Sequence, residues 1–440
     1  MARKLFISVL GAGFYENCVY VQDDFKSSQT RFIQQATLEL IDCKGSWTTE
    51  DKICILLTDK AREVNWEVTS RAKSKTDNAV PYVGLKHILN QMGLSAQVEG
   101  VSILSGMNEN EMWKIFQTVF DLIEDGDELY FDLTHSFRYL PMLILVLGNY
   151  AKFLKNIRIA HISYGNYEAR NETGAPIINL LPLAALQDWT FAAADFLRNG
   201  NCDQLVQLTK RTIRPILIET CGKDEVANSL QCLTNELQTI TNNIQTCRGL
   251  AITQNDNMAQ LKRSIETLTT EIIPPLIPVV KKIELSFANF SVDKNTLNGL
   301  HAARWCYDNR MYQQAITILQ ETIVSLICEQ TGLSVKDDTE RMLVNTAFYV
   351  VFNKKQQEEE TWRLPNYGDG NEAKNKVKEL IQLPIVNELS SSFFVATNLR
   401  NDFNHSGFRK YPMEADKIVK LIGERIQKVY DILIPGNDVH

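Results

Sequence analysis

An α/β domain followed by an all-α domain is what this 440-residue sequence predicts, and three observations predict it. Short β-branched runs alternate with longer helical patterns over residues 1–185, the order that builds a mainly parallel, Rossmann-like sheet flanked by helices. From about residue 186 the strand signals fade, and amphipathic helical text runs to Leu433. Between these helices, "IIPPLIPVV" at 272–280 carries three prolines in nine residues and cannot be one continuous helix. We therefore divide the chain into an α/β domain at 1–185, a helical connector at 186–295 and a helical bundle at 296–440.

The elements follow in order. Strands are expected at "LFISVLG" (5–11), "ICILLTD" (53–59), "GVSILSG" (100–106), "ELYFDLTHS" (128–136) and "RIAHISYG" (158–165). The segment "NENEMWKIFQTVFDLIEDG" (108–126) spaces Trp113, Phe116, Val119, Phe120 and Ile123 by three and four, a stripe expected to pack on the sheet as core. Pro141 is best accommodated in the first turn of the helix after "DLTHSFRYLP". In the C-terminal third, "NGLHAARWCYDNRMYQQAITILQETIVSLICEQTG" (298–332) has long amphipathic periodicity that ends at Gly332. The charge-rich "KKQQEEE" (354–360) reads as solvated surface.

Composition excludes several classes. With 44% hydrophobic and 22% charged residues the chain can bury a core in each domain. A net charge of −7 repels nucleic acid overall, so any RNA contact is expected at a local site. Nine scattered cysteines form no CxxC spacing, which argues against a disulfide framework or structural zinc and fits a reducing, cytoplasmic setting. The apolar core of "MARKLFISVLGAGFYE" is too short for a signal peptide and suits a first strand. "LPMLILVLGNYAKFL" (140–154) falls short of the roughly 20 residues of a membrane span.

Two constellations carry chemistry. If "VATNLRNDFNHSG" is helical until Gly407, then with Arg400 at zero, Asn404 lies near 40°, Asn401 near 100° and His405 near 140°, about 100° per residue. Ala396, Leu399 and Phe403 fall on the other side and would anchor the helix. A neutral-range base and positive donors are what RNA cleavage by its own 2′-OH requires, and histidine and arginine supply them. By chance roughly 0.3 Arg-x4-His pairs are expected in such a sequence, so the spacing alone is weak; a histidine near a helix C-terminus is also favoured by the macrodipole.

The second constellation is "ELYFDLTHSFRYLP". Thr134, His135, Ser136 and Arg138 follow a buried-looking strand and precede a helix N-terminus, where hydroxyls, amides and a guanidinium can receive phosphate or ribose. An ordinary capped turn is the alternative. The first βα turn offers Gly11, Ala12, Gly13 and Phe14 for close approach to a ligand, yet Glu16 stands where a dinucleotide fingerprint needs a third glycine. Thr58 and Asp59 end another strand and should face the same crevice, or else cap the following helix.

The stretch "DLTHSFRYLPML" resembles the Asp-x-Thr-His motif of CRISPR-associated CARF sensor domains, and "RNDFNH" resembles the Arg-x4-His motif of HEPN ribonuclease domains. Occurring in this order, they resemble the type III CRISPR ancillary ribonucleases over about 1–185 and 296–440. Ser136 stands where many relatives have glycine. The resemblance implies a CARF sensor that binds cyclic oligoadenylate and thereby activates metal-independent cleavage of single-stranded RNA in the HEPN domain. It makes Arg400 and His405 the catalytic pair, with Asn401 and Asn404 supporting, and Gly11 to Phe14, Thr58, Asp59, Thr134, His135, Ser136 and Arg138 the ligand site. Two histidines across a dyad would supply both base and acid, so a homodimer or a multiple of it is expected, with an even ring such as cyclic tetra- or hexa-adenylate as activator. Other readings are a CARF-type transcriptional regulator whose bundle only dimerises, its basic content being "TKRTIRP", and a sensor that also cleaves its own ligand.

Overall fold

A computed structural model of the protein describes residues 2–76, 80–135, 139–254, 256–271, 274–408 and 410–435. The chain folds as two compact units, Met1–Ala185 and Leu186–His440.

The first unit is α/β. Its strands are β1 (Lys4–Leu10), β2 (Tyr20–Gln22), β3 (Phe25–Lys26), β4 (Lys52–Leu57), β5 (Ser70–Arg71), β6 (Val80–Pro81), β7 (Gln97–Ser102), β8 (Glu128–Asp132), β9 (Arg158–Gly165) and β10 (Ala175–Asn179). Among the described residues eight of them form one sheet in the order β3-β2-β10-β9-β8-β1-β4-β7, and β5 pairs with β6 apart from it. The five strands from β9 to β7 in that order are parallel. Along β1, Leu5, Ile7 and Val9 join one apolar cluster while Phe6 and Leu10 join another, because alternate side chains leave opposite faces of the sheet.

Helices cover both faces: α1 (Ile33–Leu40), α2 (Cys43–Ser46), α3 (Asp59–Ala61), α4 (Leu85–Gln91), α5 (Glu109–Leu122) and α6 (Leu140–Lys155). Pro141 does sit in the first turn of α6, where its missing N–H costs nothing. Gly148 lets α6 approach β9 closely, since a Cβ there would lie 2.9 Å from Ile159 Cδ1. On the α5 stripe Val119 and Ile123 are buried and Phe116 and Phe120 pack partly buried against the same core, as expected, but Trp113 is 56% exposed and packs edge-on against Phe116. Trp113 is therefore not core. Its indole lies at the rim, where Ile115 takes the inward place.

The second unit is helical: α7 (Leu181–Asn199), which begins just before it, α8 (Asp203–Glu219), α9 (Glu225–Gln245), α10 (Gly249–Gln254), α11 (Asp256–Glu271), α12 (Ile277–Leu285), α13 (Leu297–Asp308), α14 (Tyr312–Gln330), α15 (Asp338–Phe352), α16 (Gly370–Gln382), α17 (Pro384–Asn404) and α18 (Ala415–Leu433). One apolar core runs through it from Trp189 to Tyr430. The helices of 186–295 and those of 296–440 share that core. Periodicity over 298–332 predicts one long amphipathic run, but the chain breaks between α13 and α14 at Arg310, which is left-handed with φ 60°. The central helix α14 packs against α13, α15, α17 and α18, so a polar side chain on it reaches several neighbours at once.

Candidate functional site

Chemistry-bearing residues gather at one place in each unit. In the α/β unit the chain runs outward from β1 through β4 to β7, then returns to lay β8 and β9 on β1's other side. The strand order therefore reverses between β1 and β8, and a crevice opens beyond their carboxyl ends, the position where open α/β sheets bind ligands. Gly11 to Phe14 leave β1 there, and Thr134 and His135 leave β8.

A buried carboxylate builds the β8 side. Asp132 accepts from Ser8 Oγ at 2.6 Å, from Thr134 N at 3.1 Å and from Thr134 Oγ1 at 2.5 Å. Thr134 Oγ1 in turn accepts from Gly165 N at 2.8 Å, tying the turn to β9. Gln34 on α1 donates to Ser8 Oγ at 3.1 Å and extends the network across the sheet's end. Burial raises the Asp132 carboxyl above its ordinary range, against the lowering effect of Ser8 and Thr134. Thr134 is thereby a structural brace whose hydroxyl is already engaged.

His135 differs. Burial pushes its imidazole down to about 4, its Nε2 is buried with no hydrogen-bond partner among the described residues, and its ring stacks on Tyr15 at 4.3 Å and 25°. It is a neutral flat surface at ordinary pH. Gly11 allows this packing, because a Cβ there would lie 2.4 Å from the Tyr15 hydroxyl and 3.5 Å from His135 Cβ.

The β1 loop is held by residues that sequence inspection did not single out. Asn65 Nδ2 donates to Gly11 O at 2.7 Å and Gly13 O at 2.8 Å, and Arg71 donates to Gly13 O at 2.7 Å and Ala12 O at 3.1 Å. Tyr82 and Arg71 both donate to Asn65 Oδ1, at 2.9 and 2.6 Å, which fixes the amide's orientation. Arg71 lies over the Phe14 ring at 5.4 Å, and Arg31 over the Tyr82 ring at 5.0 Å. Flat rings interleaved with guanidinium groups are what purine bases and phosphates stack on and pair with. No local motif could have announced Asn65, since its role depends on a loop 54 residues earlier in the chain.

The other expected ligand residues separate. Thr58 Oγ1 accepts from Ala61 N at 3.2 Å, so it caps α3. Asp59 lies in the first turn of α3, exposed, in a shallow cleft with Arg62, Glu63 and Glu67. Ser136 and Arg138 lie outside the described residues.

In the helical unit, α17 is anchored by Leu389, Ala396 and Leu399, all buried, with Phe403 partly so. The helix ends at Asn404, three residues before the expected stop at Gly407. His405 is the C-cap, its N–H bonded to Asn401 O at 3.1 Å, and Ser406 and Gly407 follow with φ of 51° and 71°. Asn401, Asn404 and His405 are exposed, and Arg400 is partly so, leaving the polar arc toward solvent.

Arg400 is not free. Its Nη1 donates to Glu321 Oε1 of α14 at 2.8 Å, and the same carboxylate receives Arg341 Nη2 of α15 at 2.6 Å. Glu321 also stands in the wall of a cavity of about 480 Å³ lined by Lys294, Ser325, Lys336 and Arg341 among others. Neither Glu321 nor Arg341 was visible from sequence, since the contact spans 79 residues. Among the described residues no group of three or more His, Cys, Asp and Glu is placed to hold a metal ion, and no helix is long and apolar enough to cross a membrane.

Fold and crevice together define an α/β domain with a switch point at the carboxyl ends of β1 and β8. Residues 5–168 match the model of a known family, the CARF domain of the CRISPR system endoribonuclease Csx1. A CRISPR-associated protein of Methanocaldococcus jannaschii is 24% identical over 259 residues, 57% of this chain. The chain spans only 37% of that relative's length. The solved Csm6 of Enterococcus italicus, bound to cyclic hexa-2′-fluoro-hexa-dAMP, aligns with a TM-score of 0.43 at 10% identity over 99% of this chain and 95% of its own.

Proposed function

We propose that this protein is a CRISPR defence ribonuclease switched on by cyclic oligoadenylate. The ring binds the CARF crevice at 1–185, and the helical domain at 296–440, of HEPN type, then cleaves single-stranded RNA without a metal; residues 186–295 connect the two. The observation that carries the reading is the solvent-facing arc of Arg400, Asn401, Asn404 and His405, set on a helix anchored by its opposite face, in a chain whose residues 5–168 match a CARF domain model.

In the crevice, adenine rings would stack against the neutral His135–Tyr15 pair, and Arg71 with Arg31 would draw phosphates. The phosphates of a ring on a dyad would meet both copies of the loop from Gly11 to Phe14. For cleavage, the imidazole of His405 takes the proton of the RNA 2′-OH as that oxygen attacks phosphorus. Arg400 stabilises the charge of the phosphorane, and Asn401 and Asn404 orient imidazole or phosphate oxygen. The bond from phosphorus to the 5′-oxygen breaks, leaving a 2′,3′-cyclic phosphate. The departing oxygen takes a proton from a second His405, which is why a homodimer is part of the proposal.

The test is an RNA-degradation assay in EDTA with and without cyclic oligoadenylates, on wild type and His405→Ala. Ring-dependent cleavage that the variant lacks, while it still binds the ring, supports the proposal. Equal loss of binding and cleavage would mean a folding defect, and DNA binding without RNA cleavage would favour the regulator reading.

A further inference from the structure

We propose that Glu321, itself fixed by Arg341, is a positioning residue that aims Arg400 at the scissile phosphate. This rests on the ribonuclease reading above, which by itself uses only the polar end of α17.

Three helices meet at one carboxylate. Glu321 of α14 binds Arg400 of α17 through Oε1 at 2.8 Å and Arg341 of α15 through Oε2 at 2.6 Å. Arg341 is the post of this arrangement: its Nη1 also donates to Ser325 Oγ at 2.9 Å and Val335 O at 3.2 Å, and its Nη2 to Glu321 O at 3.4 Å. Its side chain is 16% exposed, against 28% for Arg400 and 45% for Glu321. The restraint therefore runs outward from a well-held guanidinium, through a carboxylate, to one that faces the polar arc.

The atoms engaged matter. Glu321 takes Nη1 of Arg400, the nitrogen that lies on the same side as the Cδ methylene. The opposite edge, Nε with Nη2, is the fork that grips phosphate with two parallel N–H bonds. On that edge Nε is buried and has no hydrogen-bond partner among the described residues. An unpaired buried donor is unfavourable, and a small turn of the guanidinium about the Glu321 contact that presents this edge to a phosphate oxygen would satisfy it. The two guanidinium groups and one carboxylate carry a net charge of +1, so the site remains attractive to phosphate. Without the carboxylate, the two cations would repel and Arg400 would regain the freedom of a long side chain.

The experiment measures ring-activated cleavage of a fluorescent RNA by full-length wild type, Glu321→Gln, Arg400→Ala and the double variant. Glu321→Gln keeps the shape and loses the charge. It is expected to lower kcat by about 10- to 100-fold, as misplacement of a catalytic group does, with KM for RNA little changed. In the Arg400→Ala background the same change should have no further effect, since there is nothing left to position. Wild-type kcat in Glu321→Gln, an added loss in the double variant, a loss confined to KM, or cleavage without any ring would each overturn the proposal. If Arg400→Ala alone cleaves normally, the ribonuclease reading fails first and takes this inference with it.

Discussion

His135 and His405 sit in opposite surroundings, and their expected behaviours differ accordingly. The His135 ring is enclosed against Tyr15 and held at about 4, while His405 lies exposed at a helix end. A buried neutral imidazole makes the folded state bind fewer protons than the unfolded chain between pH 4 and its ordinary value of 6.5. Stability from His135 is therefore complete above 6.5 and is lost as pH falls toward 4. His161, also pushed down to about 4 by burial, adds to the same window, whereas Asp132, raised by burial, acts with the opposite sign. His135→Phe keeps the stack, so its thermal midpoint should fall less than that of wild type between pH 6.5 and 4; identical slopes would contradict the assignment. At the other site, His405→Ala should reduce RNA cleavage by about three orders of magnitude or more, with ring affinity unchanged by calorimetry.

At the scale of elements, the loop from Gly11 to Phe14 keeps its shape because its carbonyls are gripped by Asn65 and Arg71 and its first residue leaves room for Tyr15. Gly11→Val would drive a Cβ into the Tyr15 hydroxyl and disturb the His135 stack. Ring affinity should fall about tenfold or more, while cleavage at saturating ring is retained; unchanged affinity would place the ligand elsewhere. The positions of the parallel strands were legible, most plainly β1 and β4, which are near-continuous apolar runs buried on both faces. So was the anchored face of α17, because its apolar residues recur with helical period. What periodicity could not supply was where a chain turns. The break at Arg310 and the early end of α17 at Asn404 depend on a few left-handed residues that leave the hydrophobic pattern intact. Partners brought together by folding, such as Asn65 with the β1 loop or Glu321 with Arg400, were invisible for the same reason. The Thr58 hydroxyl illustrates the converse: its type suited a ligand or a cap equally, and only the structure shows that it caps α3.

For the whole molecule, the proposal joins two chemistries that the sequence keeps apart, a ring sensor and an RNA-cleaving arc. One His405 per chain cannot be base and acid in the same instant, so activity should belong to a dimer. Specific activity should fall on dilution through the dimer's dissociation range, as followed by light scattering beside the RNA assay. A monomer with full ring-stimulated activity would contradict this. The most direct test mixes purified protein, in EDTA, with a fluorescent single-stranded RNA and each of the rings of three to six adenylates, alongside His405→Ala. The account predicts cleavage with an even-membered ring, none without a ring, and none in the variant. Cleavage that ignores the rings, or that survives loss of His405, would contradict it.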